Sequence, residues 1–220
     1  MKKITLFVCL LCIAFVNAQD DDKNTADKLT FDKGTQFVNL NFSLNSSQSD
    51  FTQQMQGQIG NGESDAFGFQ INASYAYAIS SDLFLGIGLG YSITNLKSEI
   101  NNVTQNESDN KSYQIFPYVR YYKGIGKKLA LFVQGEARYF RIENDLNSLN
   151  NGTSDNFFVG VRPGITLMLN KNLAIETSIG ALGYSHRKGE SEQLDTETTG
   201  NSFGLSLNSS ELFFGLNYYF

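Results

Sequence analysis

Tryptophan, cysteine, proline and histidine are scarce in this chain of 220 residues, which has no Trp, two Cys, two Pro and one His. Both cysteines lie in the first twelve residues, so we expect neither a disulfide framework nor thiol chemistry in the rest of the chain. One histidine without a nearby cysteine offers no zinc site, and we expect no cofactor. Because 17 Lys and Arg stand against 22 Asp and Glu, general nucleic-acid binding is also disfavoured.

The first eighteen residues have the pattern of an export signal. Two lysines precede a mostly apolar stretch, 4–16, and small residues lead to a predicted cleavage between Ala18 and Gln19. The stretch is shorter than the roughly 20 residues that a membrane-spanning helix needs. Lipidation at Cys9 or Cys12 is the alternative, which the bulky residues before them disfavour. We therefore predict a secreted chain that begins at Gln19.

A period of two dominates the remaining sequence. From Phe67 to Ile79 every odd position is apolar or aromatic, while the even positions are small or polar. This alternation indicates strands with one apolar and one polar face. After residue 18 no apolar run reaches 18 residues, so no helical membrane span is expected. The same alternation recurs in 38–45, 83–94, 113–122, 129–142, 157–169, 173–184 and 203–220.

Long and short connections alternate between these segments. The connections at 80–82, 124–128 and 170–172 are short, whereas long ones fall at 46–65, 97–111, 143–155 and 186–200. Outer-membrane barrels separate loop lengths in this way, and the alternative, a soluble sandwich or lipocalin-like barrel, has no reason to do so. We therefore predict an all-β fold, an eight-stranded antiparallel up-and-down transmembrane β-barrel with long extracellular loops and short periplasmic turns. The predicted parts are a signal peptide (1–18), a short polar periplasmic leader (19–33) and the barrel domain (34–220).

The last predicted strand changes parity. Its apolar residues are odd up to Leu207 and even from Leu212, so the change falls within 208–211. A one-residue bulge in a single long strand would produce it. A short hairpin is the alternative.

The polar face of the strands is predicted to line the lumen. Glycines on that face would weaken an exposed surface but would make room inside a narrow barrel, whose interior side chains can fill. Charges on the lipid face would be costly, whereas opposite charges inside can pair. We expect Arg162 to lie beside Glu136 and Arg138. The predicted lumen charge network, which we interpret as a plug with a gate or ion path as the alternative, is Arg120, Glu136, Arg138, Arg162, Glu176 and Glu211.

Aromatic residues gather at the short-turn end of the predicted barrel. Outer-membrane barrels carry aromatic girdles at both membrane interfaces, so we predict a periplasmic girdle here. Its residues are Tyr77, Phe84, Tyr121, Tyr122, Tyr218, Tyr219 and Phe220.

The C-terminus has apolar residues at every second place back from a terminal Phe, at Leu212, Phe214, Leu216, Tyr218 and Phe220. This pattern resembles the C-terminal signature of Gram-negative outer-membrane barrels. The whole mature chain resembles the small eight-stranded family of OmpX-like and OmpA membrane-domain-like barrels, grouped as porin-family outer-membrane β-barrel domains, and 117–122 resembles a recurring segment of it. The resemblance implies a Gram-negative outer membrane, contact with its lipids and insertion by the barrel-assembly machinery.

Little in the sequence points to catalysis. His186 could be combined with Ser185 or Asp195 as in a lipid-modifying outer-membrane enzyme, but no spacing singles out a nucleophile, and we predict a non-enzymatic protein. All four long connections are net acidic, and a surface scaffold with a structural or binding role that presents them is the predicted function. The loops either bind an extracellular ligand or form a solvated surface without a specific ligand. A porin-like channel for small solutes or ions is the alternative. Eight closed strands leave no free edge, so we expect a monomer.

Overall fold

The computed structural model describes residues 28–55, 58–100, 103–146, 152–191, 196–206 and 212–220. Within these ranges no helix is long and apolar enough to cross a membrane. The described chain forms one antiparallel sheet of ten strands. They are β1 (Gln36–Met55), β2 (Gln58–Ser80), β3 (Leu83–Ile100), β4 (Val103–Gly124), β5 (Leu129–Leu146), β6 (Gly152–Met168), β7 (Leu173–Ile179), β8 (Ala181–Ser191), β9 (Thr196–Ser206) and β10 (Leu212–Tyr219).

The ten strands occupy eight positions around a closed barrel. From β1 to β6 each strand pairs with the next along the chain. Strand β6 then pairs with both β7 and β8, which lie end to end, and these pair with β10 and β9 respectively. Residues 37–42 of β1 pair with 214–219 of β10 and close the circle. The predicted eight-stranded antiparallel barrel is confirmed.

The two faces of the strands meet different surroundings. Large apolar side chains cover the outside of the barrel, among them Leu44 at 57% and Leu89 at 62% exposure. Polar side chains such as Asn72 and Gln114 are buried inside. This confirms the predicted orientation, with the apolar face outward. Exposed apolar surface on this scale is stable only against another apolar phase, which is the situation of a strand in lipid.

A one-residue bulge at Gly180 separates β7 from β8. The pairing of β6 shifts by one residue between Gly164↔Ser178 and Val161↔Leu182, and Gly180 has a positive φ of 69°. A left-handed backbone is easiest for glycine, which has no Cβ. The bulge moves the outward residues from odd numbers in β7 to even numbers in β8. In the neighbouring pair, the apolar residues are odd in β9 and even in β10, so the parity changes at the same level of the barrel. Residues 208–211, for which we predicted a bulge or hairpin, lie outside the described residues.

The segments predicted as long loops are largely paired strand. Strands β1 and β2 remain paired out to Met55↔Gln58, so 46–65 is a β-hairpin extension and not an open loop. The same correction applies to 97–111, 143–155 and 186–200, where strands cover most of each segment. Side-chain alternation marks a strand only where one face meets an apolar phase, and these extensions are polar on both faces. The connections at the other end remain tight, as predicted.

Residues 28–35, the N-terminal segment, lie against the short-turn end of the barrel. The Leu29 amide donates to the Gly126 carbonyl at 2.8 Å, and the Phe31 amide donates to Asp82 Oδ1 at 2.7 Å. Asp82 adopts a φ of 61° in the tight turn after β2, a conformation that Asp tolerates better than most residues. The predicted leader (19–33) is therefore not free of the barrel over its described part, because its backbone hydrogen-bonds to the turns.

Candidate functional site

The lumen holds a continuous set of charged and amide side chains, which we call the lumen network. Its members project inward from β4, β5, β6 and β7, because each lies on the face opposite the exposed apolar residues. All are at most 8% exposed. The lumen network comprises Arg120, Gln134, Glu136, Arg138, Arg162 and Glu176.

Arg120 forms the part of this network nearer the short-turn end, which we call the lower part. Its Nη1 donates to Glu176 Oε2 at 2.8 Å, and its Nε and Nη2 donate to Gln134 Oε1 at 2.9 and 2.7 Å. The guanidinium carbon lies 4.3 Å from the centroid of the Phe132 ring, which adds a cation–π contact. These contacts fix the guanidinium in one place between β5 and β7.

Two amide side chains satisfy the carboxylate of Glu176. Asn39 Nδ2 donates to Oε1 at 3.0 Å, and Asn217 Nδ2 donates to Oε2 at 2.6 Å. These asparagines come from the first and last strand positions, where the barrel closes. A buried ion pair is tolerated when further hydrogen bonds satisfy its remaining atoms, and here the closing strands supply them.

Glu136 forms the part of the network nearer the hairpin end, which we call the upper part. Arg138 Nη2 lies 3.1 Å from its Oε1, and Arg162 Nη2 lies 3.5 Å from the same oxygen. Gln134 Nε2 donates to Oε2 at 2.7 Å and so joins the upper and lower parts. The structure thus places Arg162 and Arg138 at Glu136, whereas Arg120 pairs with Glu176. Glu211, the sixth predicted member, lies outside the described residues.

Glycines on β3 make room for the large lumen side chains. The Phe116 ring lies over Gly88 and the Tyr118 ring over Gly86, so a Cβ at either glycine would clash with the ring. The rings in turn reach the arginines, with the guanidinium carbon of Arg138 4.1 Å from the Phe116 centroid. Glycines on one strand thus accommodate aromatic rings from the neighbouring strand, and these rings contact arginines that fill the lumen.

A second layer, the aromatic floor, closes the short-turn end of the lumen. The Phe31 ring packs on the rings of Tyr219 and Tyr122, with centroids 4.9 and 4.8 Å apart. It also meets Phe84 edge-on at 5.7 Å. All members are at most 5% exposed. The aromatic floor consists of Phe31, Phe37, Phe84, Tyr122 and Tyr219.

The predicted periplasmic girdle is therefore wrong for three of its residues. Phe84, Tyr122 and Tyr219 point into the lumen, while the other four are exposed on the outside. Parity could have separated the two groups, because Tyr122 shares the even face of β4 with Arg120. No sequence signal pointed to Phe31, since it precedes the first alternating segment. The exposed group is Tyr77, Tyr121, Tyr218 and Phe220.

Above the lumen network the barrel opens into a cavity of about 460 Å³ toward the hairpin end, which we call the vestibule. Between Arg120 and Arg138, within the network, a second cavity measures only about 20 Å³. That volume suits about one water molecule. The described lumen is thus wide at the hairpin end and closed below it.

The other predicted site residues lie apart from the lumen. Phe214, Leu216, Tyr218 and Phe220 of the C-terminal signature are exposed on the barrel exterior, and Leu212 begins β10. The predicted cleavage residues Ala18 and Gln19 lie outside the described residues, as does Asp195.

His186 and Ser185 do not form a catalytic pair in this geometry. They are neighbours on β8 and so project to opposite faces of the sheet, and Ser185 lines the vestibule. The imidazole Nδ1 lies 2.7 Å from Asn201 Oδ1 on β9. Among the described residues, no group of three or more His, Cys, Asp or Glu could hold a metal ion.

Comparison with known proteins gives one family match. Residues 42–186 match the family described as "Autotransporter beta-domain". No curated protein sequence matches the chain.

Three solved structures illustrate the structural likeness. The outer membrane protein OprG from Pseudomonas aeruginosa shares 14% identity at a TM-score of 0.50, covering 86% of this chain and 97% of OprG. Neisserial surface protein A shares 16% identity at a TM-score of 0.49, with 86% and 100% covered. A major outer membrane protein from Thermus thermophilus shares 11% at 0.47, with 84% and 99% covered. The likeness to OprG is one of fold.

Proposed function

The chain belongs to the autotransporter beta-domain family and is an outer-membrane β-barrel, and from this premise we propose that it is a sealed, non-enzymatic scaffold for surface hairpins. The observation that carries the proposal is the double closure of the lumen. The lumen network fills its middle and the aromatic floor closes its short-turn end. The family name implies a role in moving a polypeptide through the barrel, and the alternative function is a channel for solutes. Either role would need an open path through the lumen.

The hairpins supply the surface of the proposed scaffold. Beyond Leu44, an exposed apolar residue of β1, the β1–β2 pairing continues for eleven residues to Met55. At about 3.4 Å per residue this is roughly 35 Å of paired strand. All four hairpin segments carry net negative charge in the sequence. Paired, polar, acidic extensions on a barrel are suited to presenting a recognition surface to an extracellular ligand.

The remaining features of the proposal concern how the chain reaches and occupies its membrane. We propose export through residues 1–18, insertion by the barrel-assembly machinery through the C-terminal signature, and residence in a Gram-negative outer membrane as a monomer. The exposed apolar belt would contact the lipids. In support of the monomer, the β1–β10 pairing leaves the sheet without a free edge over that segment.

Planar-bilayer recording on the refolded full chain tests the sealed lumen. We expect no discrete conductance steps at neutral pH from protein shown to be folded by circular dichroism and by heat-dependent gel mobility. Reproducible steps from such protein would overturn the proposal in favour of the porin-like channel.

A variant that opens both layers shows that the assay would detect a path. Phe31→Ala combined with Arg120→Ala and Glu176→Ala removes part of the floor and a charge-balanced buried pair, and it should conduct. The matched control removes the exposed pair Lys188–Glu190, whose charged atoms lie 2.9 Å apart on β8. Lys188→Ala with Glu190→Ala should remain silent.

A further inference from the structure

The vestibule has the volume of a ligand pocket. Its volume of about 460 Å³ lies in the range of small-molecule sites, and side chains of β2, β3, β4, β5, β6, β8 and β10 line it. The lumen network forms its base, since Arg138 and Arg162 belong to both. A molecule that enters from the hairpin end would therefore stop at this depth.

The ionisable groups among the described lining residues are all arginines, Arg138, Arg162 and Arg187. Arg138 is held by Glu136 and by Gln114, whose side-chain oxygen accepts from its Nη1. Arg187 lies higher on β8, where its Nε donates to Ser154 Oγ at 3.0 Å, its one hydrogen-bond partner among the described residues. The guanidinium nitrogens Nη1 and Nη2 of Arg187 are therefore available to a ligand in the described structure.

Uncharged donors and apolar side chains complete the lining. Ser112, Ser185 and Gln114 offer hydroxyl and amide groups, while Phe140 and Phe158 offer aromatic surface. Planar guanidinium groups bind carboxylate and phosphate with two parallel hydrogen bonds. Aromatic rings beside them favour a ligand that also carries an apolar part.

From this arrangement we infer that the vestibule binds a small organic anion, with a carboxylate or phosphate group held by Arg187 and Arg138 and an apolar part held against Phe140 and Phe158. This goes beyond the scaffold role, because the site lies inside the barrel and not on the hairpins. The arginines lie beside two aromatic rings in the same lining, so one acidic group on an apolar body is the expected ligand class.

Isothermal titration of the refolded full chain in an uncharged maltoside detergent tests the inference. Phenyl phosphate is the probe, and benzyl alcohol is its uncharged counterpart. We expect phenyl phosphate to bind at micromolar to millimolar concentrations, more weakly as salt is raised, and benzyl alcohol to bind at least tenfold more weakly. Equal binding of both compounds, or no binding of phenyl phosphate at millimolar concentrations, would overturn the inference.

Two variants and a matched control locate the site. Arg187→Gln should weaken phenyl phosphate binding about tenfold or more, because a hydrogen-bonded charge contact is lost. Ser185→Trp should abolish binding by filling the vestibule without any change in charge. Arg141→Gln makes the same charge change on the exterior of β5, one residue beyond Phe140, and should leave affinity within about twofold. An equal loss in Arg187→Gln and Arg141→Gln would show general electrostatics and overturn the site. None of these readouts uses conductance, so they stand apart from the test of the sealed lumen.

Discussion

At the scale of single residues, Glu136 holds the upper part of the lumen network together. Its side chain is fully buried, with two guanidinium groups at the same carboxylate oxygen. Removing one partner of a buried ion pair destabilises a protein more than replacing both partners by apolar residues, because the remaining charge stays unpaired in a medium of low dielectric constant. The upper part of the lumen network therefore depends on this one carboxylate.

Glu136→Gln should destabilise the folded barrel by about 3–5 kcal/mol. The amide keeps the shape of the side chain but leaves Arg138 and Arg162 without its negative charge. The measurement is urea unfolding of the refolded protein in detergent, followed by heat-dependent gel mobility. Glu143→Gln, on the exposed face of the same strand, is the control and should change stability by less than about 1 kcal/mol. A similar loss in both variants would contradict the central position of Glu136.

Gly88→Ala is predicted to destabilise the barrel by about 1–3 kcal/mol, because the added methyl group would overlap the Phe116 ring. The same unfolding assay measures it. Gly204→Ala on β9 is the control, since a Cβ there meets no atom within 4 Å. Adding Phe116→Leu to Gly88→Ala should restore part of the loss. Failure of that second change to help would show that the cost comes from the backbone and not from the ring.

At the scale of elements, the N-terminal segment behaves as part of the barrel although it is not a strand. Backbone groups of Leu29, Phe31, Gly34 and Thr35 hydrogen-bond to the barrel, and the ring of Phe31 packs in the aromatic floor. Segments outside the strands open locally at a cost below global unfolding. Phe31 is the one buried side chain among residues 28–35, so it should contribute most of the side-chain stabilisation of this segment.

Phe31→Ala should release the N-terminal segment while the strands remain folded. A buried Phe→Ala change costs roughly 3–5 kcal/mol, which would raise local opening by more than about a hundredfold. Limited trypsin digestion at Lys33, read by mass spectrometry, measures that opening. Thr30→Ala changes an exposed neighbour and should leave the cleavage rate unchanged. Slow cleavage in Phe31→Ala would mean that the hydrogen bonds alone hold the segment.

At the scale of the whole molecule, barrel closure depends on the short pairing between β1 and β10. Leu40 and Leu216 are direct partners across it, on the exposed apolar face. Direct antiparallel partners bring their Cβ atoms within reach of a disulfide. The closure can therefore be tested by a covalent bond across it.

Leu40→Cys with Leu216→Cys should form a disulfide in the folded barrel, in a chain lacking residues 1–18 and their cysteines. The bond should slow unfolding in urea, because it ties the first strand to the last. Peptide mapping under non-reducing conditions measures its yield. Leu40→Cys with Leu167→Cys, on β6, places the second cysteine on a strand that does not pair with β1. Comparable yields from both pairs would contradict the closed register.

The sequence predicted the barrel well because alternation reports which face meets an apolar phase. It also brought out the lumen charges, since Arg120, Glu136 and Arg162 stand on the polar face. It could not assign Arg120 to Glu176, because that pairing depends on how strands distant in sequence come together across the lumen. The hairpin extensions were missed because strands that are polar on both faces show no alternation. Phe31 was missed because its neighbours in space are remote in sequence.

The position of Phe31 in the aromatic floor has a consequence for the order in which the chain folds. The other side chains of the floor, Phe37, Phe84, Tyr122 and Tyr219, come from β1, β3, β4 and β10. The complete floor does not exist until the last strand has paired with the first. Phe31 is synthesised before every strand, but its complete surroundings form only after the strands have assembled. Docking of Phe31 in the complete aromatic floor therefore follows the pairing of β1 with β10, and it reports that the circle of strands is complete.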